Sequence, residues 1–351
     1  MLKKKIITSD IDRMVKARAS WESFYNKTIM ITGANGYVPS YFVHLFIALN
    51  DQYNAGITVI ALCRNREKAE VKFENCLDRK DFVLLIQDVC EPIEIANEIH
   101  YFIHAASPAG IHSRYCNPVT TFQANVMGCD NLLKLAMKNP CERFLFVSSV
   151  DVYGKMNSID RLKETDCGIL DSLNVRNVYA CAKKATEMLC CSYFEKYKVP
   201  IVMVRPGQIF GPGIELNDGR LHIDFISQIL EKNKIVIKSD GSAIRTFLYV
   251  TDAIIGMLTA MTEGKLGECY NVVDEKGEAS VLELANLMAK QICNDEVEVE
   301  FDYTKRNNIE VISALSVVTG CSEKIKGLGW EPEFSLEEGA RRMMQYYGVV
   351  E

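Results

Sequence analysis

Tyr179 and Lys183 stand four residues apart in the run VYACAKKATEM, and on a helix that spacing puts both side chains on one face, one turn apart. An ammonium beside a phenol favours the phenolate, so a tyrosine with an ordinary pKa of ~10 becomes a base usable near neutral pH. A second source of chemistry lies upstream. FVSSVDVYG reads as a strand delivering Ser148 and Ser149 at its C-terminal end, with Asp151 shortly after, and the C-terminal ends of strands are where open α/β sheets bind ligands. The same Tyr-Lys spacing also occurs as plain packing of a ring along a lysine stem, so the pair means chemistry only with a cofactor and a scaffold around it.

The stretch IMITGANGYVPS (residues 29–40) supplies a candidate for the cofactor. A strand, then Gly33 and Gly36, then a helix lets backbone N–H groups approach a pyrophosphate, and the helix N-terminus adds partial positive charge. A side chain at the glycines would hold the phosphate off. The motif opens the first of several strand-helix units, as a dinucleotide fingerprint requires. Which dinucleotide is less settled. NAD sites place an acid at the end of the second strand, whereas ALCRNREK has Cys63, Arg64 and Arg66 there and no acid before Glu67. Arg64 suits the 2′-phosphate of NADP. Asp88, closing FVLLIQD, is placed to meet the adenine edge or to cap a helix.

The elements that must carry these residues alternate along the chain: TIMITG, YFVHLFIALN, ITVIALC, FVLLIQDV, YFIHAAS, a helix over 120–137, RFLFVSS, the Tyr179 helix, and IVMVRP. Continuous apolar strands separated by helices predict an α/β fold with a parallel sheet covered on both faces. Residues 1–26 form an N-terminal arm in which Asp10 suits the cap of a short helix bearing Ile11, Met14 and Val15. Residues 27–205 form the dinucleotide-binding domain, with 235–262 returning to it. Residues 206–234 and 263–351 form a smaller C-terminal substrate lobe.

Composition narrows the function classes. The chain has 351 residues, 48% of them apolar, enough for a large core. A formal charge of -6 argues against nucleic acid or an acidic membrane surface as partner. No apolar run approaches the ~20 residues of a membrane span; a cytoplasmic protein is expected. Thirteen cysteines without a C-x-x-C pair read as reduced thiols, and five histidines without helical pairing offer no metal site.

Ten motifs in order make the chain resemble the extended short-chain dehydrogenases/reductases of the nucleotide-sugar epimerase, dehydratase and decarboxylase group, over residues 21–347. They are TGANGYVPS, Asp88-Val89, HAASPAG, NPVTTFQANVMGCDNLL, SSVDVYG, YACAK, RPGQIFGPG, DGSAIRTFLYVTDA, ECYNV and LGWEPEFSLEEG. The resemblance implies a Rossmann-type doubly wound sheet, a nucleotide-diphosphate sugar as substrate, and NAD or NADP held by Gly33, Asn35, Gly36, Tyr37, Val38, Arg64, Asp88, Val89, Ala105, Ala106, Ser107, Asn125, Tyr179, Lys183 and Pro206. It casts Tyr179 as the base that takes the proton from the sugar 4-hydroxyl as hydride leaves C4. Lys183 lowers the pKa of that base and holds the nicotinamide ribose, and Ser149 bonds the same sugar oxygen. Ser107, Ser149, Gln208, Arg220, Phe225, Arg245 and Tyr270 are implied on the substrate side, with Arg245 facing a pyrophosphate or a sugar carboxylate, either of which suits its fork. A homodimer through the helices containing Asn125 and Tyr179 is also implied, with Met127, Leu132, Leu133, Ala180, Ala182, Met188 and Leu189 as its apolar surface.

The common first step in this group is oxidation to a 4-keto sugar, and the residues after Ser149 select the second step. Dehydratases have two acids there; here stand Val150 and Asp151, and valine donates no proton, so 4,6-dehydration is disfavoured. Asp151 resembles the decarboxylase glutamate shortened by one methylene, or else bonds locally at the strand end. The motifs lie nearest the UDP-glucuronate decarboxylase branch, with epimerisation, dehydration and net NADPH-dependent reduction as alternatives. A non-catalytic dinucleotide sensor is the alternative of another class. Departures are Gln208 and Asp224 in place of asparagines, Pro39 in place of a last glycine, and EVISALSVVTG, which lacks the usual charged markers. Proline is acceptable in a first helical turn, so the anion site of Gly33 and Gly36 is expected to survive.

Overall fold

The computed structural model describes residues 2–17, 21–108, 116–156, 161–293, 296–302 and 317–351. The last two residues of the SPAG motif and most of EVISALSVVTG lie outside them. In chain order the elements are α1 (Leu2–Lys16), β1 (Thr28–Thr32), α2 (Tyr37–Tyr53), β2 (Thr58–Cys63), α3 (Arg66–Lys72), β3 (Phe82–Ile86), β4 (Tyr101–His104), α4 (Pro118–Ala136), β5 (Arg143–Val147), α5 (Val178–Tyr197), β6 (Ile201–Pro206) and β7 (Gln208–Phe210). They continue with α6 (Leu221–Lys232), β8 (Lys234–Ile237), β9 (Ile244–Tyr249), α7 (Val250–Glu263), β10 (Cys269–Val272), β11 (Glu278–Ser280), α8 (Val281–Asn286), β12 (Glu298–Phe301), β13 (Val317–Val318), α9 (Glu323–Lys326) and α10 (Leu336–Tyr347).

Seven strands form a sheet in the order β10-β6-β5-β4-β1-β2-β3, and every pairing in it is parallel. Successive side chains of a strand point to opposite faces, and both faces here are apolar. Ile29, Ile31, Val59, Ala61, Ile103, Leu145, Val202 and Val204 pack into one cluster with α2 and α7. Met30, Ile60, Leu62, Phe102, Phe144, Phe146, Ile201 and Met203 pack into another with α4 and α5. From β1 the chain runs outward to β2 and β3, then crosses back to β4 on the other side. That reversal opens a crevice beyond Thr32 and His104, whose strand positions pair; such switch points are where doubly wound sheets take ligands.

The second lobe divides differently from the expected boundaries. Residues 235–262 do not return as a block: β8 pairs with β12, and β9 pairs with β7, β11 and β13 in a separate small sheet. Helix α7 does return, packing on β5 and β6. So does β10, expected in the substrate lobe, which pairs with β6 as the edge strand of the main sheet. A four-residue strand carries too little pattern to show which sheet it joins, and the open edge of β6 decides it.

The N-terminal arm packs on α2, α7 and α10 of its own chain. Asp10 is no cap. It lies inside α1, fully buried, where its carboxylate accepts from Tyr249 Oη at 2.9 Å and from the Arg342 guanidinium. Burial raises its pKa, and the nearby Arg342 charge opposes that shift. Among the described residues no helix is long and apolar enough to cross a membrane, and no group of three His, Cys, Asp or Glu side chains is arranged to hold a metal ion.

Candidate active site

The turn after β1 has the shape a dinucleotide needs. Gly33 adopts φ +64°, the left-handed region, and a Cβ on it would lie 2.8 Å from Ala106 Cα. The Gly36 N–H donates to Gly33 O at 2.8 Å, closing the turn, and α2 starts at the next residue. Pro39 is the third residue of that helix, in the first turn where no intrahelical partner for its missing N–H exists. Substituting Gly33 by alanine is expected to cost about 1–2 kcal/mol from backbone strain alone and to weaken dinucleotide binding. Denaturant unfolding and a dinucleotide titration check this; wild-type values in both would contradict the assigned loop.

The same crevice receives the catalytic candidates. Residues of α5 put Tyr179 and Lys183 on one face, with Lys183 Nζ 5.7 Å from the Tyr179 ring centroid. Lys183 is buried, and its ammonium donates to Val147 O at 2.6 Å. Ser149 follows β5, and its Oγ accepts the Asp151 N–H at 3.2 Å, starting a short 3-10 turn over Val150–Tyr153. Val150 is buried in an apolar cluster.

These side chains line a cleft of about 410 Å³, within the usual range for small-molecule sites. Gly33, Gly36, Tyr37, Val38, Ala105 and Ser107, expected on the dinucleotide side, are among its lining residues. Pro206, Gln208, Arg220 and Arg245 line it together with Ser149, Asp151, Tyr179 and Lys183. Asp151 is the only acid among the described lining residues, against the cations Lys155, Arg176, Lys183, Arg220 and Arg245. Such a balance suits a phosphorylated or carboxylated ligand, although the chain as a whole is acidic. Arg245 Nη1 donates to Ile244 O at 2.7 Å; burial pulls its guanidinium below the usual pKa, and the charge of Asp151 opposes that. Arg220 pairs with Asp218 at 2.9 Å and lies over the Tyr37 ring.

Some residues implied by resemblance do not reach the cleft. Phe225 is buried under α6 in the main apolar cluster, because its helix turns that face to the core. Tyr270 sits on β10, buried, accepting the Lys265 N–H at 2.8 Å with Lys324 over its ring. Val89 packs within the cluster under α4, against Gly128. Asn125 is buried one layer back, where its amide donates to Ser107 Oγ at 3.0 Å and so orients a lining residue. Arg64 lies outside the cleft with Nη1 3.9 Å from Asp88 Oδ2, and Asp88 Oδ1 accepts the Cys90 N–H. Where NAD sites carry an acid, burial pushes the Cys63 thiol up to about 11, against the pull of the Asn35 and Ala34 backbone.

Thr32 and His104 carry no expectation from sequence, yet their side chains join the ends of β1 and β4 at the crevice. Thr32 Oγ1 accepts the N–H groups of Ala105 and Ala106, each at 3.2 Å, which leaves its own proton for His104 Nδ1 at 2.9 Å. His104 is therefore neutral with its proton on Nε2, and burial lowers its pKa to about 3, helped by the Lys183 charge. The signal available is the HAAS motif itself, whose histidine and small residues form a hydrogen-bonding unit that a letter pattern does not reveal.

Residues 29–273 match the NAD dependent epimerase/dehydratase family. The chain is 31% identical to UDP-glucuronic acid decarboxylase 1 of Arabidopsis thaliana, over 90% of this chain and 68% of that protein. It is 29% identical to dTDP-D-glucose 4,6-dehydratase of Bos taurus, over 92% and 89% respectively. In fold it is similar to UDP-N-acetylglucosamine 4-epimerase from Methanobrevibacter ruminantium M1, solved in complex with UDP-N-acetylmuramic acid, with a TM-score of 0.78, 20% identity and coverage of 92% and 98%. With the glycine turn, the doubly wound sheet and the Ser-Tyr-Lys constellation in place, the chain belongs to the NAD dependent epimerase/dehydratase family of extended short-chain dehydrogenases/reductases.

Proposed function

We propose that the protein oxidises the hexose of a nucleotide-diphosphate sugar at C4 and then decarboxylates or epimerises the 4-keto sugar. The observation that carries this reading is the convergence of Ser149, Tyr179, Lys183 and Asp151 with the glycine turn in one cleft rimmed by cations. Tyr179 takes the proton of the 4-hydroxyl, Lys183 favours its phenolate, and Ser149 bonds the same oxygen. A dinucleotide held in this cleft would supply the acceptor for the C4 hydride and the means of its return. Gly33, Gly36 and the first turn of α2 would hold its pyrophosphate. A ketone at C4 makes a C6 carboxylate a β-keto acid: the C5–C6 bond breaks, its electron pair enters the C4–C5 enolate, carbon dioxide leaves, and a proton is added at C5. Asp151 is the acid at hand for that second stage, and Arg245 is the cation beside it for a carboxylate or phosphate. Decarboxylation is favoured over 4,6-dehydration because Val150 has no proton to give a departing hydroxyl.

Incubation with UDP-glucuronate, UDP-glucose, UDP-N-acetylglucosamine and their CDP, GDP and dTDP counterparts tests this. Carbon dioxide release marks decarboxylation, an isomer of unchanged mass marks epimerisation, and loss of water marks dehydration. Absence of product from every sugar would favour the sensor reading, against which the complete Ser-Tyr-Lys set argues. The family description names NAD; Arg64 is the residue that bears on NADP and on a net reductase, and parallel titrations with both dinucleotides separate them.

A homodimer through α4 and α5 is part of the proposal, with its apolar surface redrawn. Leu132, Leu133, Ala180 and Ala182 are buried within the subunit, so they face no partner. Met127 and Met188 remain exposed and are joined by Val119 and Phe122, a patch of the kind that marks interfaces. Light scattering is expected to give twice the 39.6 kDa of the chain. A monomer that keeps its activity would contradict the interface.

A further inference from the structure

A polar network of buried and half-buried side chains reaches the cleft through Lys183 and Ser148, which line it, and runs back into the protein from there. Helix α5 carries Glu187 one turn beyond Lys183, and the two residues grip consecutive positions of β5 and its end. Lys183 Nζ donates to Val147 O at 2.6 Å, and Ser148 Oγ donates to Glu187 Oε1 at 2.6 Å. The next residue is Ser149. Arg205 closes on the same carboxylate with a fork, Nε to Oε1 at 2.9 Å and Nη2 to Oε2 at 2.8 Å, while its Nη1 donates to Glu164 O at 3.0 Å. Its guanidinium lies 4.7 Å from the Tyr153 ring centroid, and the Tyr153 hydroxyl donates to Asn271 Oδ1 at 2.7 Å. Ser148 and Glu187 are buried. Arg205 directly precedes Pro206, which lines the cleft.

We infer that Glu187, clamped by Arg205, is a positioning residue that sets Ser149 against Tyr179 and Lys183. This rests on the reading of the cleft as a site of C4 oxidation. Three elements that each deliver part of the chemistry, the end of β5, helix α5 and the end of β6, meet on a single carboxylate. A bidentate pair has a narrower geometry than a single bond, and burying it costs desolvation that its attraction only partly offsets. Replacing it by apolar side chains of similar volume is therefore expected to change stability little and the geometry of the cleft more. Catalytic groups misplaced by an ångström lose up to about a hundredfold in rate.

The test uses the full-length protein, Ser148→Ala, and the double variant Glu187→Leu with Arg205→Met, in which apolar side chains of similar size replace the buried pair. Positioning predicts that both variants fold with near wild-type Tm, that kcat falls about tenfold to a hundredfold, and that KM is unchanged. A second readout needs no turnover: the pH midpoint for forming the Tyr179 phenolate, taken from ultraviolet difference spectra against Tyr179→Phe, rises in both variants. A midpoint that stays at the wild-type value, or a kcat that stays at the wild-type value, overturns the inference. If the wild-type protein turns over no nucleotide sugar, the reading of the cleft fails on that result, and the phenolate midpoint still decides the positioning role.

Discussion

Replacing Tyr179 by phenylalanine is expected to lower turnover by about two to four orders of magnitude, the usual worth of a positioned acid or base, while dinucleotide binding stays intact. The change removes one oxygen and leaves the ring that packs beside Lys183, whose ammonium is fixed on Val147 O at 2.6 Å independently of that hydroxyl. Folding and cofactor affinity should therefore not move. The phenol is the group asked to accept the 4-hydroxyl proton, and neither Ser149 nor Lys183 can replace it: a serine hydroxyl is too weak a base, and the buried ammonium has no lone pair. Rapid mixing of the cofactor-loaded enzyme with its sugar, followed by absorbance of the reduced dinucleotide, measures the effect. Retained turnover would remove Tyr179 from the mechanism.

Asp151→Asn separates the two stages. The substitution keeps size and the backbone N–H that donates to Ser149 Oγ at 3.2 Å, so the sugar-facing serine stays in place. Oxidation at C4 is expected to proceed, and the second stage to fall by about two orders of magnitude or more, because an amide cannot shuttle a proton. Reduced dinucleotide and 4-keto sugar should then accumulate, the latter detectable by mass after rapid quenching. Product formation at the wild-type rate would return Asp151 to the local turn at the end of β5.

The candidate catalytic residues were legible because each of their motifs is local. A four-residue spacing on a helix settles that Tyr179 and Lys183 share a face, and a strand running into Gly33 and Gly36 leaves few alternatives to an anion-binding turn. The strands were legible for a similar reason, since runs such as TVIALC are apolar on both faces and only a covered parallel sheet accepts that. What sequence hid is long-range. Tyr270 belongs to a motif, and Phe225 was assigned by resemblance; neither records direction, and both side chains turn into the core. Glu187 and Arg205 are 18 residues apart on different elements, and nothing in either local pattern pairs them. The Asp10 contacts with Tyr249 and Arg342 span 239 and 332 residues, so the carboxylate reads from sequence as a cap. Pro39, a departure from the motif, falls in the first turn of α2, where its missing N–H has no intrahelical partner to lose.

The central claim is that the sugar is oxidised at C4 within the cleft before any second change. The most direct test is a single turnover with a UDP-sugar deuterated at C4, chosen from those the enzyme converts, mixed with enzyme loaded with oxidised dinucleotide and quenched before product release. The account predicts reduced dinucleotide carrying the deuterium, and product in which deuterium has returned to C4. Product formed while no deuterium ever reaches the dinucleotide would contradict it.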